Sequence, residues 1–170
     1  MPEFKPIAKT SIGRALARAE RYRLLNEPRE AESICRDILA VEPGNADALI
    51  TLLLALTDMF GAMGVKRDEA LALLPRLPGD FEREYYAGVI DERWAKALLA
   101  ARHQREVVFD FVSSALQHFE RAEALSPDGN DDPILRYNAC LRLIERNDLA
   151  PAAAPQTESV DDFEDDMPAR

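Results

Sequence analysis

Two histidines, His103 and His118, and two cysteines, Cys35 and Cys140, are the residues in this 170-residue chain with the most chemistry to offer. Their spacing leaves that chemistry unused. Neither histidine has a cysteine or carboxylate cluster beside it at metal-ligand spacing, and the cysteines fit no redox or zinc pattern. Asp128, Asn130 and Asp132 take the first, third and fifth places of a calcium loop. Pro133 then stands where the sharp turn needs glycine, and Ala139 stands where the closing acid must bind. The sequence has no glycine-rich phosphate loop and no nucleophile elbow, and each histidine lacks a clear serine or cysteine partner. The expectation is no metal, no cofactor and no catalytic residue, so that surfaces do the work.

Charge bounds what those surfaces can meet. Lys and Arg number 21 against 31 Asp and Glu, for a net charge of −10. An acidic body repels phosphate at long range, which argues against nucleic acid or an anionic membrane as partner. The longest apolar run, 48–57, falls short of the roughly 18 residues a transmembrane helix needs. No signal-peptide pattern follows the N-terminus, so the expected compartment is the cytoplasm. The charge is unevenly placed. Residues 1–29 carry seven Lys and Arg against three Glu, and residues 150–170 carry six acids against Arg170. Arg14, Arg18 and Arg21 recur at i, i+4 and i+7, a basic stripe on one helix face. The acidic run 158–166 could dock there, within one chain or between two. Exposed pairs contribute only about 0–1 kcal/mol each, so a solvated face with a loose tail is the plainer reading.

The elements that position these residues are helices. Apolar residues recur with a 3.6 period, and no stretch alternates with period 2. Helices are expected at 9–25, 28–41, 46–63, 67–75, 80–103, 106–126 and 132–147. Asp80 is expected to cap the fifth, and Pro133 suits the first turn of the seventh. A flexible 1–8 precedes a helical domain over 9–149. The Ala/Pro linker and acidic run of 150–170 have too few apolar groups to offset their ordering entropy, and are expected to be disordered.

Two segments share a spacing. Ala31, Cys35, Ile38 and Pro43 fall at intervals of 4, 3 and 5, as do Ala115, Phe119, Ala122 and Pro127. A small residue, a larger apolar one a turn later and a third beyond them on one face admit a neighbouring helix closely, and the proline ends the helix at a fixed distance. These residues resemble the tetratricopeptide repeat family, whose second helix reads A-x3-F-x2-A-x4-P. Ala115 to Pro127 matches at every position, Cys35 and Ile38 are apolar substitutions, and Ala19 and Tyr22 supply the first helix's small and aromatic residues. Pro43 and Pro127 stand 84 residues apart, 42 per unit against a family period of 34, which places an irregular unit in the middle. The seventh helix resembles the first helix of a further unit, acting as a cap. The resemblance implies an all-α, right-handed superhelix of about seven helices whose first helices line a concave groove.

It also implies a role as an interaction scaffold, binding a peptide or protein segment in that groove. The residues expected to meet the partner are Arg23, Tyr85, Tyr86, Arg93, Tyr137 and Asn138, since aromatics and Arg anchor interfaces and an Asn amide both donates and accepts. Some family members pair such Asn residues with Lys and Arg to clamp a C-terminal carboxylate. Ala17 and Thr51 stand at the corresponding places here, so that clamp is incomplete. Two alternatives stay open: a small acidic chaperone of the secretion type holding a client, and the regulatory subunit of an enzyme. Homo-oligomerisation is also left open.

Overall fold

Breakers and apolar spacing together decide where the helices run. In the computed structural model, which describes residues 2–61 and 63–152, they are α1 (Ile12–Leu24), α2 (Pro28–Val41), α3 (Ala46–Asp58), α4 (Arg67–Leu71), α5 (Asp80–Ala100), α6 (Arg105–Leu125) and α7 (Asp132–Asn147). Short 3-10 turns cover Lys9–Ser11 and Leu74–Arg76. The described residues contain no strand, only an isolated bridge between Phe60 and Val65.

Several boundaries differ from expectation, with α1 beginning at Ile12 after a 3-10 turn and α5 ending at Ala100. The helix expected over 46–63 ends at Asp58, because Gly61 and Gly64 take φ of 75° and 74° to reverse the chain. The one expected over 67–75 is broken into α4 and the 3-10 turn at Pro75. Gly79 rather than Asp80 occupies the cap of α5; Asp80 is its first residue and accepts from Arg83 at 2.5 Å. Pro2–Ala8 has no regular structure, yet Ile7 packs against the core. The disorder expected of 150–170 falls, for 153–170, outside the described residues.

α1, α5 and α7 stop in the same way. Asn26, Arg102 and Asp148 adopt left-handed φ of 59°, 59° and 48°. In each case the next residue's N–H returns to a carbonyl five residues back: Glu27 to Tyr22, His103 to Leu98 and Leu149 to Ile144. α1, α3 and α5 begin at Ile12, Ala46 and Asp80, a step of 34 residues each time, whereas α7 begins 52 residues after α5. The extra length therefore sits in the α5–α6 pair, whose helices are 21 residues each, while the middle pair keeps the 34-residue step and is irregular in its five-residue α4.

Successive helices pack on one another, and every second one also touches: α1 on α3, α3 on α5, α5 on α7. Two apolar clusters result. The first joins α1, α2, α3 and α4, with Ile38, Leu49, Leu53 and Met59 sealed inside. The second joins α5, α6 and α7 around Phe119, Val108, Val112 and Cys140. Tyr86, Trp94 and Leu54 pack against both. The repeat positions Ala19, Ala31, Cys35, Ala115, Phe119 and Ala122 are all fully buried, Tyr22 is half-buried, and Pro43 and Pro127 are exposed at the helix ends. Gly88 explains how Phe119 fits. A methyl group there would lie 2.7 Å from the ring, so α5 accepts a helix-weakening glycine to let the two helices close.

Candidate interaction surface

The row α1, α3, α5 and α7 positions the polar residues of interest. Asp58 is the last residue of α3, at the negative end of the helix dipole, where a carboxylate is disfavoured. Two guanidiniums offset this. Arg23 of α1 donates from Nε to Asp58 Oδ2 at 2.8 Å, and Arg93 of α5 donates from Nη1 to Oδ1. The same Arg93 nitrogen reaches Thr57 Oγ1 at 2.8 Å. Arg23, Asp58 and Arg93 stand 35 residues apart in sequence, so the helix register brings them together at one level of the row.

A second node is centred on the residue before Arg93. Glu92 of α5 is almost wholly buried and accepts from Lys96 Nζ, one turn on, and from Arg136 Nη1 of α7 at 3.2 Å. Burial lowers the Arg93 pKa; Asp58 opposes this, while the charges of Arg23 and Arg136 add to the lowering. Burial also lowers that of Arg136, but Glu92 and the Tyr85 hydroxyl more than reverse the effect, leaving it raised. Four cations thus meet two carboxylates, and two positive charges are in surplus on the face of an acidic chain. Between the nodes opens a cavity of about 390 Å³, lined by Thr57, Asp58, Phe60, Arg93, Lys96 and Arg136 among others. It can offer Lys96 and Arg136, both partly exposed, to an incoming acceptor.

Of the six residues expected to meet a partner, the structure brings Arg23 and Arg93 together through Asp58. Tyr85 and Tyr86 pack their rings between the helices, with the Tyr85 hydroxyl beside Arg136. Tyr85 stacks on Phe81 at 5.8 Å and meets Tyr86 and Phe119 edge-on at 5.1 and 5.9 Å. Burial pushes the Tyr86 hydroxyl up to about 12. Tyr137 packs on the second cluster with its hydroxyl near Glu120 of α6, away from Arg23 and Arg93. Asn138 is half-exposed and makes no side-chain hydrogen bond among the described residues. Asp58, Glu92, Lys96 and Arg136 were not singled out by the sequence. The signal available was the charged Arg–Asp–Arg series at a step of 35.

On the other side of α5 lies a network that joins serine, histidine and aspartate. Asp91, almost wholly buried, accepts from Arg67 Nε at 2.7 Å and from Ser114 Oγ at 2.6 Å. His118 Nδ1 lies 2.7 Å from Glu84, and its Nε2 lies 4.0 Å from Asp91. A nucleophile would need its hydroxyl on the imidazole, but Ser114 donates directly to the carboxylate. The wiring ties α4 to α5 and α6, with Arg67 also lying over the Phe111 ring at 5.2 Å. No group of three or more His, Cys, Asp or Glu among the described residues is arranged to hold a metal, and no described helix is long and apolar enough to cross a membrane.

The chain is thus all-helical, with a charged face along alternate helices. No protein-family model, curated protein or solved structure matches it.

Proposed function

We propose that this chain is a protein-interaction scaffold of tetratricopeptide type, stacked as a right-handed superhelix, that takes a peptide or extended protein segment along the row of α1, α3, α5 and α7. The 34-residue step between helix starts and the contacts between alternate helices support that stacking. The observation that carries the binding role is the cavity between Asp58 and Glu92, where two surplus positive charges face solvent. Chains that stack helices this way leave one row uncovered, and a row with pre-ordered guanidiniums binds carboxylate and carbonyl groups without first having to organise itself.

The test is a peptide-display selection against the full chain, followed by affinity measurement on Lys96→Glu and Arg136→Glu. A saturable ligand whose Kd rises tenfold or more in both variants, with helicity retained by circular dichroism, supports the reading. Ligands that bind both variants as well as the parent chain would refute it.

A further inference from the structure

The outer face of α1 is separate from the groove. Arg14, Arg18 and Arg21 are exposed there and line one hollow of about 510 Å³ with Ala17, Tyr22 and Leu25. None of the three pairs with a carboxylate among the described residues, whereas Arg23, two residues on, is held by Asp58. Leu25 is 60% exposed beside them, and Leu24 is 88% exposed on the same helix end. An unpaired cationic stripe edged by apolar carbon fits an anionic segment that carries a few large apolar side chains.

We infer that this face docks the chain's own acidic segment, 158–166, folded back on the same molecule. The segment offers Glu158, Asp161, Asp162, Glu164, Asp165 and Asp166 to the arginines, and Val160 and Phe163 to Tyr22 and Leu25. Its reach suffices. Asp162 lies 13 residues beyond Leu149, a contour of up to about 43–47 Å. α7 and α1 are the ends of the row, separated by three helix-to-helix steps of about 8–10 Å each. Tethering sets the effective concentration in the millimolar range, enough to occupy a weak site that a free peptide would leave empty. Any acidic partner of the α1 face must therefore displace the tail, and salt weakens both.

The experiment compares the full chain with a full-chain variant carrying Asp161→Asn, Asp162→Asn, Asp165→Asn and Asp166→Asn, by backbone amide NMR. At low salt the resonances of 14–25 are expected to differ between the two, and the difference is expected to vanish in 1 M NaCl, where the Debye length is about 3 Å. Arg14→Glu, Arg18→Glu and Arg21→Glu together are expected to shift the resonances of 158–166 in the reciprocal sense. Should that variant fail to fold, the Asn variant carries the test, since it leaves α1 untouched. Identical α1 spectra at low salt overturn the inference. So does a concentration-dependent dimer that the Asn variant abolishes, because the segment then sits on a second copy.

Discussion

Around α1, α2 and α3 the buried polar side chains among the described residues are two threonines, Thr51 and Thr57, whereas α5 carries two adjacent carboxylates, Asp91 and Glu92, through the middle of its packing. The apolar region can settle by shape alone: any well-filled arrangement of Ile38, Leu49, Leu53 and Met59 satisfies it. The charged region cannot, because an unpaired buried carboxylate costs several kcal/mol. Neighbouring residues on a helix point about 100° apart. Asp91 therefore turns toward Arg67 and Ser114 on α4 and α6, while Glu92 turns toward Arg136 on α7. The contrast teaches that α5 is the joint of the molecule. Its two buried carboxylates tie it by charge to α4, α6 and α7, whereas the buried contacts among α1, α2 and α3 are apolar apart from two threonines.

The comparison would break most sharply at Phe119, the apolar centre of the charged region. Phe119→Ala is expected to destabilise the chain by about 3–5 kcal/mol in urea denaturation, since the ring is fully buried against Gly88. A loss below about 1 kcal/mol would mean that the Phe119 ring contributes little to holding α5 on α6. Asp91→Ala is expected to cost about 1.5–3 kcal/mol by leaving Arg67 and Ser114 without their shared acceptor. Ile38→Val, its counterpart in the apolar region, is expected to cost about 0.5–1.5 kcal/mol, and a reversed order would undo the distinction.

Smaller effects sharpen it. Arg102→Gly is expected to stabilise by about 0.5–1 kcal/mol, because glycine adopts the left-handed stop of α5 without the Cβ penalty. Burial pushes Cys35 and Cys140, one in each region, up to about 12. Both thiols are expected to resist alkylation at pH 8 until the chain unfolds, and early labelling of Cys140 alone would show that the charged region opens first. For Glu84, burial raises the carboxyl pKa, but hydrogen bonds from His118 and Arg121 outweigh it and leave it below its ordinary 4.5. Its contribution is thus present above pH 4.5 and is lost as pH falls through the lower folded value. Glu84→Gln is expected to flatten the acid limb of a stability–pH profile, and an unchanged limb would remove this network from the account.

Much of the helix plan was legible because it is local. Pro28, Pro43-Gly44-Asn45 and Asp132-Pro133 mark starts and stops within a turn of where they act. The expectation to 63 overran the helix, which ends at Asp58 ahead of the left-handed turns at Gly61 and Gly64, while Phe60 packs edge-on against Trp94 of α5. On the surface, Arg23 and Arg93 were visible as candidates but Asp58 between them was not, and the ring contacts of Tyr85 and Tyr86 appear only once the helices are packed.

The amino-acid sequence by itself determined that the chain is helical, where most of its helices begin, and that Ala31, Cys35, Ala115, Phe119 and Ala122 face inward, because periodicity and backbone stereochemistry act over a few residues. Only the tertiary structure decided that Arg23 and Arg93 share Asp58, that Asp91 and Glu92 divide their partners between two sides of α5, and that Arg14, Arg18 and Arg21 meet no carboxylate among the described residues. Ion pairing depends on distances across helices 24 to 44 residues apart in the chain, and those distances exist only after the helices have packed.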